Sequence, residues 1–378
     1  KAAPASSFEA AGARPPGPIR PPPFRDASVL QRAVALSKLS QVLEAGGQRS
    51  ERAGTIPGSI VIEDAADVND PRDLEGRRAE DAQRLLEENQ ALEAAEVAKL
   101  PAAERARYEA VKAALTTAPG DPVAALALQK LLFQGKLSGE LLTQLEGLTT
   151  QELAEGIDRQ QLLADVVQEV ATPESINQRN RGTCAATASE IQLIQSDSAE
   201  YVRLVAGLAT PGGTVTTRGG DVLSREEGVL TDATGRSLSQ RLLAPALMEL
   251  ANGRADYNNA DDKHHGGGLD GRSGLTAAQV DVILESLYDR DFAFMNTGSA
   301  AEKEAGVDFV LDEVAAGRSV LVGLDWGTGG HKVLVVGTTS RDGQDYVRVI
   351  NPWGQEELIP TEAFEQRLRN VNYDPNAP

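Results

Sequence analysis

The fold class is decided by residues 319–360, SVLVGLDWGTGGHKVLVVGTTSRDGQDYVRVINPWGQEELIP. Runs rich in Val, Ile and Leu alternate here with short segments that contain Gly, which is typical of antiparallel strands joined by turns. The region before it, which begins near Cys184, carries helical patterns instead. Helices followed by a sheet predict an α+β domain, and we place this domain at residues 166–378.

The part of the chain before residue 166 has a different pattern. Residues 1–27 are dense in Pro and Ala, with few apolar anchors, which predicts a disordered arm. Helical patterns dominate residues 28–165, where residues 60–63 are a short strand-like exception. We therefore expect an all-helical N-terminal region that regulates or targets the domain. The alternative is that these helices complete the core of the domain.

Charge and hydropathy exclude several classes of partner. The chain has 37 basic and 56 acidic residues, a net charge of −19, and a field of this sign repels phosphate backbones. No window approaches the ~18–20 consecutive apolar residues of a membrane span. The sequence therefore predicts no nucleic-acid partner and no membrane span, while export and a cytoplasmic location both remain open.

Cys184 is the only cysteine, which rules out an intramolecular disulfide and a multi-cysteine metal site. A single cysteine usually packs as a small apolar side chain, so a catalytic role needs support from its position in the sequence. The residues NRGT precede it and AATA follow it, which places the thiol at the start of a predicted helix. Unpaired N–H groups and the helix dipole favour a thiolate there, so we expect a lowered pKa.

Other polar residues stand where they could assist this thiol. His331 begins a predicted strand, and Asn351 ends another one just before Pro352 and Trp353. An asparagine that accepts one ring N–H of a histidine fixes its tautomer, and a tryptophan can shield that bond from water. Gln178, six residues before Cys184, could help the Cys184 backbone N–H to hold an oxyanion. Cys, His and Asn form the thiol version of the acyl-transfer triad.

The segments INQRNRGTCAATA, GGHKVLVVG and VINPWG follow one another in this order and resemble the signature segments of papain-like cysteine peptidases. The calpain-like variant is the most similar, because it shares the Gln-x5-Cys offset and Asn-Pro-Trp-Gly. The resemblance covers about residues 170–365. It implies a papain-like catalytic domain with a helical part and an antiparallel β part.

By this resemblance Cys184 is the nucleophile, His331 the general base and acid, Asn351 the residue that orients it, and Gln178 an oxyanion donor. Gly266 and Gly267 would lie near the wall that pairs with the substrate backbone. Trp353 would lie beside the substrate site. The implied activity is hydrolysis of protein or peptide substrates through a thioester, with no cofactor.

Two positions depart from the family pattern. Ala185 follows the cysteine where many members carry Trp, which changes the pocket beside the nucleophile. Lys332 follows the histidine where relatives often have a small residue. Successive side chains on a strand point to opposite faces, so we expect Lys332 to face away from the triad.

Two other functions use the same residues differently. A papain-like acyltransferase or deamidase-type effector would use the same triad for transfer, and a catalytically inactive relative would serve as a binding module. In the leading hypothesis the N-terminal region could also inhibit the peptidase by covering its cleft. The acidic stretch 256–262 and His264-His265 lack the spacing of a calcium loop or a zinc site, so we predict a solvated loop and no metal.

Overall fold

The computed structural model describes residues 27–44, 56–62, 71–327 and 329–377. The arm predicted for residues 1–27 lies outside this part of the chain, except for Ala27, which begins the first helix. The described residues form twelve α-helices and eleven strands. The α+β class predicted from the sequence is confirmed.

The helices begin and end at recognisable signals. Asp121 accepts hydrogen bonds from the first free N–H groups of its helix, Pro122 takes the first helical position, and Gly135 ends the helix at a φ of 67°. The helices are α1 Ala27–Glu44, α2 Pro71–Glu88, α3 Gln90–Val97, α4 Ala102–Thr116, α5 Pro122–Gln134, α6 Gly139–Thr150, α7 Arg159–Ala171, α8 Cys184–Ala209, α9 Leu238–Ala251, α10 Ala277–Tyr288, α11 Ala300–Ala315 and α12 Thr361–Arg367.

The strands are β1 Ile60–Val61, β2 Thr214–Thr216, β3 Val222–Ser224, β4 Asp256–Asn258, β5 Lys263–His265, β6 Ala293–Asn296, β7 Val320–Asp325, β8 Gly330–Arg341, β9 Gln344–Asn351, β10 Gln355–Pro360 and β11 Leu368–Tyr373. Seven of them form one antiparallel sheet in the order β1-β10-β9-β8-β7-β11-β6. The strands predicted within residues 319–360 are its centre. The remaining four form two hairpins, β2-β3 and β4-β5.

The prediction of an all-helical N-terminal region is wrong. Residues 60 and 61 form β1, which pairs with Leu358 and Glu357 of β10 and so becomes an edge strand of the large sheet. The strand-like pattern of residues 60–63 was the correct signal, but its partner lies about 300 residues away in the sequence, and periodicity does not identify partners.

The two faces of the sheet carry two hydrophobic cores. On β8, Leu334 points into the larger core, which also contains residues of α1, α5, α8 and α9. Val333 and Val335 point into the smaller core, which is closed by residues of α11 and α12. This alternation follows the two-residue period of a strand. It also gives each residue near the start of β8 a definite side of the sheet.

The boundary drawn between residues 165 and 166 falls inside α7 and does not separate two cores. The larger core runs without a break from Leu39 of α1 to the helices α8 and α9. Asp165 accepts a hydrogen bond of 2.6 Å from the backbone N–H of Leu238 at the start of α9. Glu169 accepts hydrogen bonds from Ser237 and Ser239 in the same place. The alternative in which the N-terminal helices complete the core is therefore the better description.

Helix α8 is longer than the sequence predicts. We expect an end near Gln195, but the helix continues to Ala209 across a kink at Asp197, where φ is −154° and ψ is 78°. The Asp197 carboxylate accepts a hydrogen bond from the N–H of Glu200 and so restarts the helix as a cap does. α8 has 26 residues, yet neither it nor any other described helix has the length and apolarity needed to cross a bilayer.

A fragment of residues 166–378 is expected to be insoluble or unfolded. It would lack β1, α1 to α6 and half of α7, and would expose the apolar faces of α8 and α9 to water. Gel filtration and circular dichroism of the purified fragment measure this. The control is a fragment of residues 27–378, which keeps all described elements and should be monodisperse. A folded, monodisperse 166–378 fragment would contradict a shared core.

Candidate active site

Cys184 is the first residue of α8 and keeps part of its surface exposed. Thr183 precedes the helix without a side-chain cap, so the N–H groups of the first turn are not taken by a capping oxygen. The backbone N–H of Ala185 donates to the sulfur. The predicted position of the thiol at a helix start is therefore correct.

The loop before Cys184 is held in place by the β4-β5 hairpin. Asp262, at the tip of the hairpin, accepts two hydrogen bonds of 2.9 and 2.8 Å from the N–H of Gly182. The Tyr257 hydroxyl donates to the same carboxylate. A Cβ on Gly182 would lie 2.6 Å from the Cβ of Ser273, so only glycine fits. We predicted a solvated loop at residues 256–262, but this part of it anchors the loop that presents the thiol.

Gln178 lies in the same loop, which is tied to the end of β9. Its backbone N–H donates to the carbonyl of Pro352 at 2.7 Å, and Asn177 forms a β-bridge with Trp353. Gln178 is 4% exposed, and its Nε2 donates to the carbonyl of Arg181 at 2.5 Å. One Nε2–H remains for a further acceptor, since a primary amide has two.

His331 and Asn351 are directly bonded. The distance from His331 Nε2 to Asn351 Oδ1 is 2.8 Å. Because an amide oxygen only accepts, Nε2 carries the proton and Nδ1 of the neutral ring keeps its lone pair. Trp353 stacks on the imidazole with ring centroids 4.0 Å apart, and Trp326 contacts it edge-on at 5.0 Å. The ring is thus fixed in both tautomer and orientation, with Nδ1 as its available base.

Glu357 was not singled out from the sequence, yet it holds Asn351. Its Oε1 accepts a hydrogen bond of 2.6 Å from Asn351 Nδ2, which forces the amide oxygen toward His331. Gln355 Nε2 donates to the same oxygen. Glu357 is 1% exposed, and burial raises the pKa of its carboxyl. Its only sequence signal is an acidic residue at a core-facing position of a predicted strand.

The thiol lies against the strand that carries the histidine. β9 pairs with β8 only as far as Leu334, so no described strand pairs with the first residues of β8 on that side. The backbone N–H of Lys332, the residue next to His331, donates to the Cys184 sulfur. The structure therefore brings Cys184, His331, Asn351 and Gln178 to one end of the sheet.

Burial changes the protonation of the pair. It raises the pKa of the Cys184 thiol, although the N–H groups of Lys332 and Ala185 favour the thiolate. It lowers the pKa of His331 to about 4, although the bond to Asn351 opposes this. The lowered thiol pKa expected from the helix start is thus wrong in direction, because desolvation outweighs the helix terminus. At pH 7 the Cys184 thiol and the His331 imidazole are therefore both neutral.

Gly266 and Gly267 occupy a turn after β5. The N–H of Gly266 donates to Asp270, and a Cβ on Gly267 would lie 2.7 Å from the backbone N of Ala255. The segment that touches the loop of the nucleophile is instead at Ser273, against Gly182. A role of Gly266 and Gly267 in substrate binding stays a prediction.

One group of carboxylates in the described residues is close enough to share a cation. The ligand atoms of Glu226, Glu249 and Asp256 all lie within 4.8 Å of one another. Burial, with the charges of Glu249 and Asp256, raises the pKa of Glu226 to about 7. Glu249 is already used as an acceptor by Asn252 and by the N–H of Tyr257, so its carboxylate also has a structural role.

In comparison with known proteins, the chain gives no significant match to a family model, a curated protein or a solved structure.

The stacked Trp353 gives a measurable prediction for the histidine. In Trp353→Ala the imidazole becomes hydrated, so the pKa of His331 should rise from about 4 toward its ordinary value near 6.5. A histidine NMR titration resolves this, because the chain has only three histidines and the His331→Gln variant assigns the signal. Phe294→Ala, on the edge strand β6, is the control. An unchanged His331 midpoint in Trp353→Ala would show that the tryptophan does not exclude water.

Proposed function

We propose that the protein is a cysteine endopeptidase of the papain-like, calpain-like type that hydrolyses protein or peptide substrates. The observation that carries this is the position of the Cys184 thiol at a helix start, next to β8, the strand on which His331 is bonded to Asn351 of β9. A thiol, an imidazole with a free nitrogen and an orienting amide are the parts of nucleophilic acyl transfer. The resemblance of the three sequence segments supports the same function.

In the first step the sulfur attacks the scissile carbonyl carbon and its proton passes to His331 Nδ1. Because both groups begin neutral, the step needs a base that is deprotonated at pH 7, and the low pKa of His331 provides it. The imidazolium then donates this proton to the leaving amine, and a thioester forms on Cys184. Asn351 keeps Nε2–H engaged throughout, so the ring does not rotate.

The oxyanion needs donors, and two are available at the site. Gln178 has one Nε2–H that the Arg181 carbonyl does not use. The backbone N–H of Cys184 belongs to the first turn of α8, where no intrahelical acceptor exists. Water then attacks the thioester while His331 takes its proton; the C–S bond breaks, the imidazolium returns the proton to the sulfur, and the acid product leaves.

Hydrolysis is tested by incubating the full chain with denatured proteins and peptide pools and identifying products by mass spectrometry. Each cut adds one water and creates new termini. Cys184→Ala and His331→Ala should each lower kcat by about 10⁴-fold or more, since a triad acts as a unit. Assaying residues 27–378 in parallel tests whether the arm before Ala27 contributes to the predicted autoinhibition, which would appear as a higher activity of the shorter chain.

Other products would identify the alternatives. Amine adducts or deamidated glutamines, lost in Cys184→Ala, would replace peptidase with acyltransferase or deamidase. Substrate binding without any product, equal in Cys184→Ala and the wild type, would show an inactive binding module. Cleavage that persists in Cys184→Ala would overturn the triad itself.

Gln178→Ala should lower kcat by about 100- to 1,000-fold and leave KM nearly unchanged, because an oxyanion donor acts on the transition state. Gln195→Ala, an exposed position on α8, is the matched control and should not change kcat. Thermal unfolding is measured for both variants. A large loss of stability in Gln178→Ala, with kcat per folded molecule unchanged, would assign Gln178 a purely structural role.

A further inference from the structure

Lys332 is a buried lysine beside the nucleophile. The residue is 6% exposed and lies on the face of the sheet opposite to His331, as the alternation of strand residues predicts. That face is covered by α8, so the side chain does not reach solvent but stays under the helix that begins at Cys184. Burying an ammonium group is costly unless other groups compensate for it.

A missing side chain makes room for Lys332. Gly323 of β7 lies directly opposite Lys332 on one side and opposite Asn370 of β11 on the other. A Cβ on Gly323 would lie 2.7 Å from the side-chain atoms of Asn370. The lysine side chain therefore crosses β7 over a glycine, and its Nζ donates to Asn370 Oδ1 at 2.7 Å and to Asn372 Oδ1 at 2.5 Å.

The acceptors of Lys332 are oriented by α10. Asn372 Nδ2 donates to Asp281 Oδ1 at 2.6 Å and to the carbonyl of Ala277 at 2.9 Å, which turns its Oδ1 toward the lysine. Both oxygens that bind Nζ belong to neutral amides. Within the described residues no carboxylate lies within 4 Å of Nζ, since Asp281 acts through Asn372. The site orients an ammonium group but does not neutralise it.

The Cys184 sulfur is the other group that a charge on Lys332 affects. It accepts the backbone N–H of Lys332, and the ammonium and a thiolate stabilise each other. Burial lowers the pKa of Lys332 to about 7, while the charges of Cys184 and Asp281 act to raise it. Asp262 opposes a thiolate from the loop side, although Arg181 and Arg236 partly offset its charge.

We propose that Lys332 is a positioning residue whose ammonium group stabilises the Cys184 thiolate, a role that rests on the function proposed above. When the thiol proton passes to His331, negative charge appears on sulfur inside a buried site. The lysine supplies a positive charge there while it is protonated, and takes no part in the proton transfer. Lys332 thereby partly offsets the effect of burial on the thiol pKa. It acts from the face of the sheet opposite to His331.

The test uses Lys332→Met, which keeps the length and most of the volume of the side chain and removes its charge. The rate of alkylation by iodoacetamide is measured against pH, and whole-protein mass reports the single cysteine. At pH 6, below the pKa of Lys332, Lys332→Met should be labelled at least about tenfold more slowly than the wild type, because only the wild type then carries the ammonium charge. Leu334→Ala, on the same face of β8, is the packing control and should leave the labelling rate unchanged.

A reciprocal measurement does not depend on the folding of Lys332→Met. The same coupling requires that a negative charge at Cys184 raises the pKa of Lys332. The NMR signal of labelled lysine should therefore titrate at higher pH after alkylation of Cys184 with iodoacetate, which adds a carboxylate, than after alkylation with iodoacetamide, which adds a neutral group of similar size. Equal lysine midpoints in the two adducts, or equal labelling rates of Lys332→Met and the wild type at pH 6, would overturn the inference. Neither experiment uses a substrate. A chain without peptidase activity could therefore still show the coupling, and an active one could lack it.

Discussion

The hydrogen bond from His331 Nε2 to Asn351 Oδ1 is the interaction on which the proposed chemistry depends. It decides which ring nitrogen carries a proton and therefore which nitrogen can accept one. The surroundings protect this choice: Trp353 covers the ring, and Glu357 holds the Asn351 amide in the orientation that presents oxygen. An amide turned by 180° would offer N–H to Nε2 and reverse the tautomer. Glu357 prevents this orientation, because its Oε1 accepts the hydrogen bond of Asn351 Nδ2.

The N-terminal helices are part of the support of this site. α7 binds the start of α9 through Asp165 and Glu169, and the Tyr201 hydroxyl of α8 donates to Glu169 as well. α8 in turn carries Cys184 at its first residue. The position of the thiol relative to the sheet therefore depends on packing that begins at α1. This differs from a catalytic domain with a detachable regulatory region.

The sequence predicts where the residues of the candidate site lie better than it predicts their environment. The strands of residues 319–360 and the start of α8 follow from local patterns, and so do Cys184, His331 and Asn351. The core that the N-terminal helices share with α8 and α9 cannot be predicted in this way. Amphipathic periodicity shows that a helix buries one face, but it does not identify the element that covers this face. The direction of the thiol pKa was missed for a related reason, since a helix terminus is visible in the sequence and burial is not. For Lys332, the alternation of strand residues predicts the correct side of the sheet. Its neighbours Gly323 and Asn370 could not be predicted, because they depend on the register between strands.

The pairing of β1 with β10 affects when the candidate site can form during synthesis of the chain. Val61 lies opposite Glu357, the residue that fixes Asn351, and the two are about 300 positions apart. Synthesis runs from the N terminus to the C terminus, so about 300 residues are made after β1 before its neighbour exists. Contacts of such long sequence separation form late and slowly. A nascent chain thus holds its thiol well before the imidazole and its asparagine are in place, which delays any reactivity until β10 has been made.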